Sequence, residues 1–270
     1  MTRTALILAA HGSRHHPSVN AEVRRCAAGV RDRGGFDEVA VAFHQGAPTF
    51  ADVLDTLRAG DVTVVPFMTS DGYYARTVLP RELARNTRFA SMNVRITAPV
   101  GTHPRIADLM ADRIRRCLEP YRLPKNATSL AVVGHGTKRH ADSRRATLDL
   151  CRSLRQCDVA GEVLAAFIGE PPGVQTILSR ACLPNVLAVP FLIGAGPHAT
   201  RDIPAALGIA DIAASAGARA LPVVGSVGGR IIACDTPIGG DPGIIDIVAA
   251  LAGNPPGAAH RWDARKERVA

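Results

Sequence analysis

The sequence predicts an α/β protein of two repeated lobes, each a parallel sheet covered by helices in three layers. Three observations favour this fold class. Four sequence blocks recur in the same order in the two halves of the 270-residue chain. Short apolar runs alternate with longer amphipathic stretches, which is typical of βα units on a parallel sheet. A segment rich in proline and polar residues, 120–128, separates the halves.

The repeat is visible by direct comparison, and such repeats organise a fold. The matched blocks are ALILAAHGSR (5–14) with LAVVGHGTKR (130–139), VAVAFHQGAPTFADVL (39–54) with VLAAFIGEPPGVQTIL (163–178), VTVVPFMTSDGYYARTVLP (62–80) with VLAVPFLIGAGPHATRDIP (186–204), and APVGTHPRIADL (98–109) with TPIGGDPGIIDI (236–247). The spacing from Pro99 to Pro237 is wider than the spacing from His11 to His135. The second half therefore contains a late insertion.

Each half is predicted to contain four strands and four helices. We expect strands near 4–9, 39–43, 62–67 and 94–98, and then near 129–133, 163–168, 185–191 and 219–224. We expect helices near 18–33, 49–58, 77–86 and 104–118, and then near 142–156, 173–182, 202–215 and 242–252. Thr49 and Asp52 fit a capping box at the second helix. The predicted lobes are 1–119 and 129–253, with 120–128 as linker and 254–270 as a mobile tail.

Composition limits the choice of partners. The formal charge is +8, and Arg supplies almost all of the cationic residues. An anionic partner would explain this, because Arg pairs with carboxylates in a bidentate way; a codon preference for Arg is the competing explanation. Few aromatic residues and no basic helix argue against nucleic acid. The apolar run Ala5–Ala10 is too short for a signal peptide or a membrane span. Six scattered cysteines without a CxxC pair fit reduced thiols in the cytoplasm.

Three polar residues follow consecutive strands of the second half: His135, Glu170 and His198. Because ligands bind outside the carboxyl ends of parallel strands, all three are expected to face one crevice. Two imidazoles and a carboxylate suit a first-row divalent metal and also suit proton abstraction. Hydrogen bonding within polar loops is the competing interpretation. In the first half, His11 matches His135, but no histidine matches His198. We therefore expect one active site, centred on the second lobe and covered by the first.

Other motifs are weaker. Gly194, Gly196 and Ala199 form a GxGxxA pattern, which leaves a nucleotide-binding oxidoreductase open, but Pro197 interrupts it. The HG pairs lack the preceding arginine of histidine phosphatases, and no GxSxG, HExxH or Walker motif occurs. Asp71 and Asp202 are predicted to act as turn and helix-cap residues.

HGSR, HGTKR, the AF…EPP segment, VPFLIGAGPHATRDIP and the PxGxxP pattern resemble the class II chelatases, the sirohydrochlorin cobaltochelatases and ferrochelatases. The resemblance covers most of 4–250 and implies two lobes of flavodoxin-like or chelatase type. It also implies an ATP-independent lyase that inserts Co²⁺, or Fe²⁺ or Ni²⁺, into sirohydrochlorin or a related polycarboxylate tetrapyrrole, in cobalamin or siroheme-type biosynthesis. No cofactor beyond the substrate metal, no membrane and no nucleic acid is expected. The chain is expected to be a cytoplasmic monomer or homodimer. A non-catalytic tetrapyrrole or metal carrier on the same fold is the alternative.

The resemblance also implies roles for residues. His135, His198 and His11 are the catalytic candidates, and His135, His198 and Glu170 are the metal ligands. The family's glutamate ends an AFLE-like run, a place that Gly169 occupies here, so Glu170 lies one residue later. The substrate-binding candidates adjoin the motif loops; they are Arg14, Arg76, Arg139, Arg201, Tyr74 and Gly196.

Overall fold

A computed structural model of the chain describes residues 2–138, 140–215, 221–253 and 260–261. The strands are β1 (Thr4–Ala10), β2 (Glu38–Phe43), β3 (Asp61–Pro66), β4 (Asn93–Ile96), β5 (Thr128–Gly134), β6 (Glu162–Phe167), β7 (Asn185–Pro190), β8 (Val223–Val227), β9 (Arg230–Cys234) and β10 (His260–Arg261). The helices are α1 (Ala21–Arg33), α2 (Phe50–Thr56), α3 (Leu79–Ala84), α4 (Ile106–Leu118), α5 (Asp142–Gln156), α6 (Ile177–Arg180), α7 (Ile203–Ala206), α8 (Ala210–Ser215) and α9 (Ile244–Gly253). Among these described helices, none has the length and apolar character that a membrane crossing requires.

The chain forms two compact units, Met1–His103 with Pro242–Ala270, and Pro104–Asp241. We call them the first and the second unit. The sheet of the first unit has the order β10–β4–β3–β1–β2, and the sheet of the second has the order β6–β5–β7–β9–β8. Strands β1 to β4 are parallel to one another, as are β5, β6, β7 and β9; β10 and β8 are antiparallel edge strands.

The two sheets repeat the same strand order and the same register. Ala10 lies opposite Phe43 at the end of β1 and β2, and Gly134 lies opposite Phe167 at the end of β5 and β6. Pro66 and Pro190 likewise end the third strands beside equivalent residues of β1 and β5. The predicted fold class, two repeated α/β lobes with parallel sheets, is therefore confirmed.

The central strands are buried on both faces. All residues of β5 are buried, as are all but the first of β1, which explains why both read as continuous apolar runs. The capping box at α2 is also confirmed, since the Asp52 amide donates to Thr49 Oγ1 and the Thr49 amide donates to the Asp52 carboxylate.

The predicted strand at 219–224 is wrong in its limits and in its role. The strand beside β7 is β9, and β8 precedes it as an antiparallel edge strand. Gly228 and Gly229, with φ of 55° and 77°, form the tight turn between them. Paired glycines with positive φ are typical of two-residue hairpin turns. The late insertion in the second repeat therefore coincides with the β8 side of this hairpin.

The compact units differ from the predicted lobes, which kept each repeat whole. Helix α4, the last element of the first repeat, belongs to the second unit, and α9, the last element of the second repeat, belongs to the first. In its unit, α9 packs on α1 at Gly29, where the absence of a side chain leaves room for Ile245. The predicted tail, 254–270, lies outside the described residues except for 260–261.

Candidate functional site

His135 and His11 directly follow the first strand of their sheets, and each is followed by a glycine that the backbone requires. Gly136 has a φ of 63° and Gly12 a φ of 70°, in the region that favours glycine. A Cβ at position 136 would also lie 2.8 Å from Phe167 Cβ, and one at position 12 would lie 2.6 Å from the carbonyl oxygen of Gln45. The HG pair is therefore the sequence that lets the chain turn sharply at the carboxyl end of a central strand.

His198 begins a single wide π-helical turn, His198–Asp202, in which its carbonyl accepts from the amide of Ile203. Such turns are frequent at functional sites because they reorient a side chain within a helix. The carbonyl of Gly196 accepts from the amides of Ala199 and Thr200, at 2.9 Å and 3.0 Å, and so closes the loop before the turn. Gly196 thus fixes the backbone that presents His198.

His135 and His198 form a pair in the second unit. Their ring centroids are 5.7 Å apart and their planes are nearly perpendicular, at 87°. The Nδ1 of His135 lies 2.9 Å from the carbonyl oxygen of Gly136, and the Nδ1 of His198 lies 2.8 Å from the Asp202 carboxylate. Because both partners are acceptors, each Nδ1 carries the proton when the ring is neutral. Each imidazole therefore keeps the lone pair on Nε2.

The spacing of these rings suits a shared ion. Two imidazoles that bind one first-row metal through Nε2 at about 2.1 Å, with a tetrahedral angle between the bonds, have ring centres roughly 5 Å apart. The observed 5.7 Å is close to that value. A divalent ion, or a pair of protons taken from one ligand, could thus engage both rings after a small movement.

Asp202 holds His198 from behind. Burial tends to raise the pKa of Asp202, but the hydrogen bonds from His198 and Arg201 outweigh it and hold that pKa below the usual range. The carboxylate makes no hydrogen bond to the start of α7, so its predicted helix-cap role is wrong. A carboxylate on the far nitrogen of an imidazole fixes the tautomer and raises the basicity of the other nitrogen. The His–Asp spacing of four residues on a helical turn was the sequence signal for this contact.

Glu170 has partners other than the imidazole pair. Its Oε1 accepts from the Thr137 amide at 3.1 Å, and its Oε2 lies 3.4 Å from the guanidinium of Arg144 on α5. In the described part of the chain, no group of three or more His, Cys, Asp or Glu side chains is arranged to hold a metal ion. The expected three-residue ligand set is therefore not assembled, because Arg144 and the Thr137 amide engage the carboxylate.

The first unit brings together three rings, which we call the first-unit trio: His11, His44 and Tyr74. Their centroids are 5.4 Å to 5.6 Å apart in every pairing. His44, directly after β2, was not among the predicted site residues, although its place after a strand end was a signal for it. Glu82 of α3 lies behind it, with its Oε1 3.8 Å from His44 Nδ1.

Tyr74 occupies the place that His198 has in the second unit, at the start of an equivalent wide turn, Tyr74–Val78. Its hydroxyl is buried and has no hydrogen-bond partner among the described residues. Burial and the Glu82 carboxylate raise the pKa of Tyr74 above its usual range. The residue is therefore a neutral phenol, and the first unit offers imidazoles from its first and second strands instead of its first and third.

Comparison with known proteins places the chain in a family. The CbiX family model matches residues 5–117 and, a second time, residues 129–253. The chain belongs to the CbiX family. Its two matched ranges follow the two halves of the internal repeat. A curated CbiX-like relative, the probable sirohydrochlorin cobaltochelatase of Halobacterium salinarum, is 32% identical and is aligned over 74% of this chain and 75% of its own length.

Solved structures agree with this CbiX fold. A multi-domain Deinococcus radiodurans protein with structural similarity to chelatases has a TM-score of 0.72 and 26% identity. The match covers 98% of this chain but 57% of the length of the Deinococcus protein. SirB from Bacillus subtilis, with Fe³⁺, has a TM-score of 0.72 and 16% identity, covering 93% of this chain and 96% of its own. The CbiX described as the terminal enzyme of siroheme biosynthesis in denitrifying bacteria has a TM-score of 0.64 and 22% identity, covering 92% and 96%.

Three of the arginines predicted to bind substrate in this CbiX chain, Arg14, Arg76 and Arg201, have exposed side chains, and two of these pair with acids. Arg76 binds the carboxylate of Asp71 at 2.9 Å, and Arg201 binds Asp202 at 3.0 Å. Arg14 is exposed in the loop after β1. Arg139 lies outside the described residues. Ion pairs this exposed are weak in water, so the guanidinium groups can exchange their partners for an anionic ligand.

The Asp202–His198 contact predicts that replacing Asp202 weakens metal binding. Asp202→Asn keeps an acceptor for His198 Nδ1 but removes the negative charge, so we expect the Co²⁺ affinity of the second unit to fall about tenfold or more. Titration followed by the absorbance of bound Co²⁺ measures this change. Asp71→Asn, which breaks an exposed arginine–aspartate pair of the first unit, is the control. Equal affinities for Asp202→Asn and the wild type would show that the carboxylate does not support the imidazole.

Proposed function

We propose that the chain inserts a divalent metal ion, Co²⁺ first among the candidates, into sirohydrochlorin or a closely related polycarboxylate tetrapyrrole. The observation that carries this proposal is the His135–His198 pair, two imidazoles 5.7 Å apart at the strand ends of a CbiX-family chain. The curated relative that is named a probable sirohydrochlorin cobaltochelatase supports the choice of substrate and metal. Such an activity is ATP-independent and belongs to the lyases. Cytoplasmic location is part of the same proposal.

The reaction exchanges two pyrrole protons of the macrocycle for one M²⁺. A neutral imidazole can coordinate a first-row metal or accept a proton near pH 7. His135 and His198 each hold their proton on Nδ1, so both Nε2 atoms are free to do either. In this mechanism the pair takes the metal first, releases it to the macrocycle, and then accepts the protons that leave the pyrrole nitrogens. The Asp202 carboxylate, 2.8 Å from Nδ1, keeps the His198 ring oriented in the last step.

The substrate is negatively charged and so complements the exposed arginines. Sirohydrochlorin carries several carboxylates, and Arg pairs with carboxylates through parallel hydrogen bonds. Arg201 is adjacent to the His198–Asp202 contact, and its side chain is 75% exposed. In the first unit Arg76 lies two residues after Tyr74, in the same wide turn. We propose that Arg201 and Arg139 orient a macrocycle at the second unit, and that Arg76 and Arg14 are the substrate-binding residues of the first unit. Glu170 remains a candidate metal ligand. To bind the metal, its carboxylate has to leave the guanidinium of Arg144.

The function is tested by anaerobic incubation of the purified chain with sirohydrochlorin and Co²⁺, Ni²⁺ or Fe²⁺ in turn. We expect the absorbance of the free macrocycle to convert to that of the metallated one faster than without protein, and fastest with Co²⁺. A heat-inactivated sample is the control for uncatalysed insertion. Binding of macrocycle and metal without acceleration would contradict the enzyme and favour a carrier on the same fold.

The roles of the histidines predict unequal effects of substitution. His198→Ala should reduce the insertion rate about 10²-fold or more, as expected for loss of a positioned base or ligand. His135→Ala should have a comparable effect, and His11→Ala a smaller one. Tyr74→His should add a ligand to the first-unit trio without restoring the rate of His198→Ala. Steady-state rates measure these effects, with circular dichroism as the folding control. An inactive His11→Ala beside a near-wild-type His198→Ala would place the working site in the first unit.

The proposed arginine contacts predict a salt dependence. Added salt screens exposed charges, so the dissociation constant for sirohydrochlorin should rise several-fold between about 50 mM and 500 mM NaCl. Arg201→Gln should weaken binding at low salt and flatten this dependence. Fluorescence or absorbance titration at each salt concentration provides the measurement. A dissociation constant that does not change with salt would exclude charge pairing as the main source of affinity.

A further inference from the structure

His198 depends on a loop with little stiffness of its own. The segment between β7 and the wide turn, Leu192–Pro197, contains Gly194 and Gly196. Glycine restricts the backbone least, so such a loop holds one conformation only where other backbone atoms fix it. At the far end, the Gly196 carbonyl performs this task by accepting from Ala199 and Thr200. At the near end, the Phe191 amide donates to the Val133 carbonyl at 2.8 Å, and the next residues, Leu192 and Ile193, need a support of their own.

That support is Gly239. Its amide donates to the carbonyl of Leu192 at 3.3 Å, and its Cα lies directly against the backbone of Ile193. A methyl group at position 239 would collide with the carbonyl oxygen of Ile193. The 235–241 loop, which follows β9, is thus the surface on which the His198 loop rests.

Helix α4 fixes the 235–241 loop through Arg113. Arg113 Nε donates to the Asp235 carboxylate at 2.8 Å, Nη1 donates to the Pro237 carbonyl at 3.1 Å, and Nη2 donates to the carbonyl and hydroxyl of Thr236. The ion pair is buried, with 8% and 5% of the two side chains exposed. Tyr121 and Cys117 also donate to Asp235, so the buried carboxylate has a full set of partners. At the other end of the loop, Arg116 of the same helix lies 3.5 Å from Asp241.

Among the described residues of the first unit, no such ion pair lies behind the corresponding loop. Its corresponding loop also carries a glycine, Gly101, whose amide donates to the Met68 carbonyl at 2.8 Å. Thr97 follows β4 where Asp235 follows β9, and its hydroxyl donates to the neighbouring carbonyl of Ala98. Arginine in that unit binds instead at the carboxyl end of α9, where Arg95 donates to the carbonyls of Leu251 and Ala252. A buried arginine–carboxylate pair behind the loop is therefore found in the unit with the His135–His198 pair.

We infer that Arg113, through Asp235, Thr236 and Gly239, is a positioning residue for His198. Arg113 fixes the position of the 235–241 loop, and that loop in turn fixes the position of the loop before His198. The imidazole of His198 is thereby held beside His135. The catalytic consequence rests on the proposed function, but the placement of the imidazole does not. The inference therefore needs one readout on the imidazole itself and one on the reaction.

The first test uses Arg113→Lys, which keeps the charge but loses the planar fork that contacts three residues. We expect a shifted and broadened imidazole signal of His198 in ¹H–¹³C spectra, assigned by its absence in His198→Ala. We also expect kcat for metal insertion to fall about tenfold, with KM for the macrocycle retained. Arg95→Lys, the equivalent change at the anchor of α9, should leave the His198 signal in place. If Arg113→Lys does not fold, Thr236→Val removes one contact of Arg113 and leaves the ion pair intact.

The second test acts on the loop contact without touching Arg113. Gly239→Ala should displace Ile193 and shift the His198 signal, whereas Gly101→Ala makes the same change in the first unit and should not. A merely structural role would lower the melting temperature of each variant and leave the His198 signal of the folded protein unchanged. That result in the folded Arg113 or Thr236 variant, or in Gly239→Ala, would overturn the inference. A wild type that inserts no metal would refute the proposed function, while the His198 signal would still decide this inference.

Discussion

Both units depend on one constraint: the parallel pairing of a buried first strand with two neighbours in a fixed register. Because β1 and β5 are buried on both faces almost to their ends, a slip of one residue along the strand would draw the histidine that follows it into the core. The register sets where each strand ends, and the residue after that end leaves the core together with its neighbours. His135 and His11 reach the surface at that point. The positive φ of the following glycine then turns the chain away and leaves the imidazole at the edge of the sheet.

The same scaffold yields two different groups of side chains because strand ends are interchangeable positions for polar residues. The second unit uses the ends of its first and third strands, with Asp202 behind His198. The first unit uses the ends of its first and second strands, with Glu82 behind His44 and a neutral phenol in the third place. In each unit an acid supports one histidine and a backbone carbonyl supports the other. The two repeats of a duplicated fold can thus each keep an imidazole beside a carboxylate, although the imidazole follows a different strand in each repeat.

Periodicity and the repeat were enough to predict the fold class, its duplication and most helices, because buried parallel strands and amphipathic helices have strong sequence patterns. They were not enough to predict the exchange of α4 and α9, since either unit can bury the apolar face of such a helix. The hairpin of β8 and β9 was missed although Gly228 and Gly229 marked its turn. In the site, the strand ends led to His135 and His198, whose ring centroids lie 5.7 Å apart, and their roles stay predictions. The contact between Glu170 and Arg144 could not be predicted, because nothing in the sequence shows that Arg144 reaches Glu170 from α5.

The exchange of α4 gives the second unit a means of controlling its site from a distance. A helix that packs only through apolar contacts can shift by fractions of an ångström at small cost, but the Arg113–Asp235 pair is tied to particular backbone carbonyls. A buried ion pair adds little net stability, yet it is strongly unfavourable to break once formed. It therefore specifies one position of the helix relative to the loop more than it stabilises the unit. That specification matters for the loop between β7 and the turn that carries His198, because Gly194 and Gly196 leave its backbone few restrictions of its own.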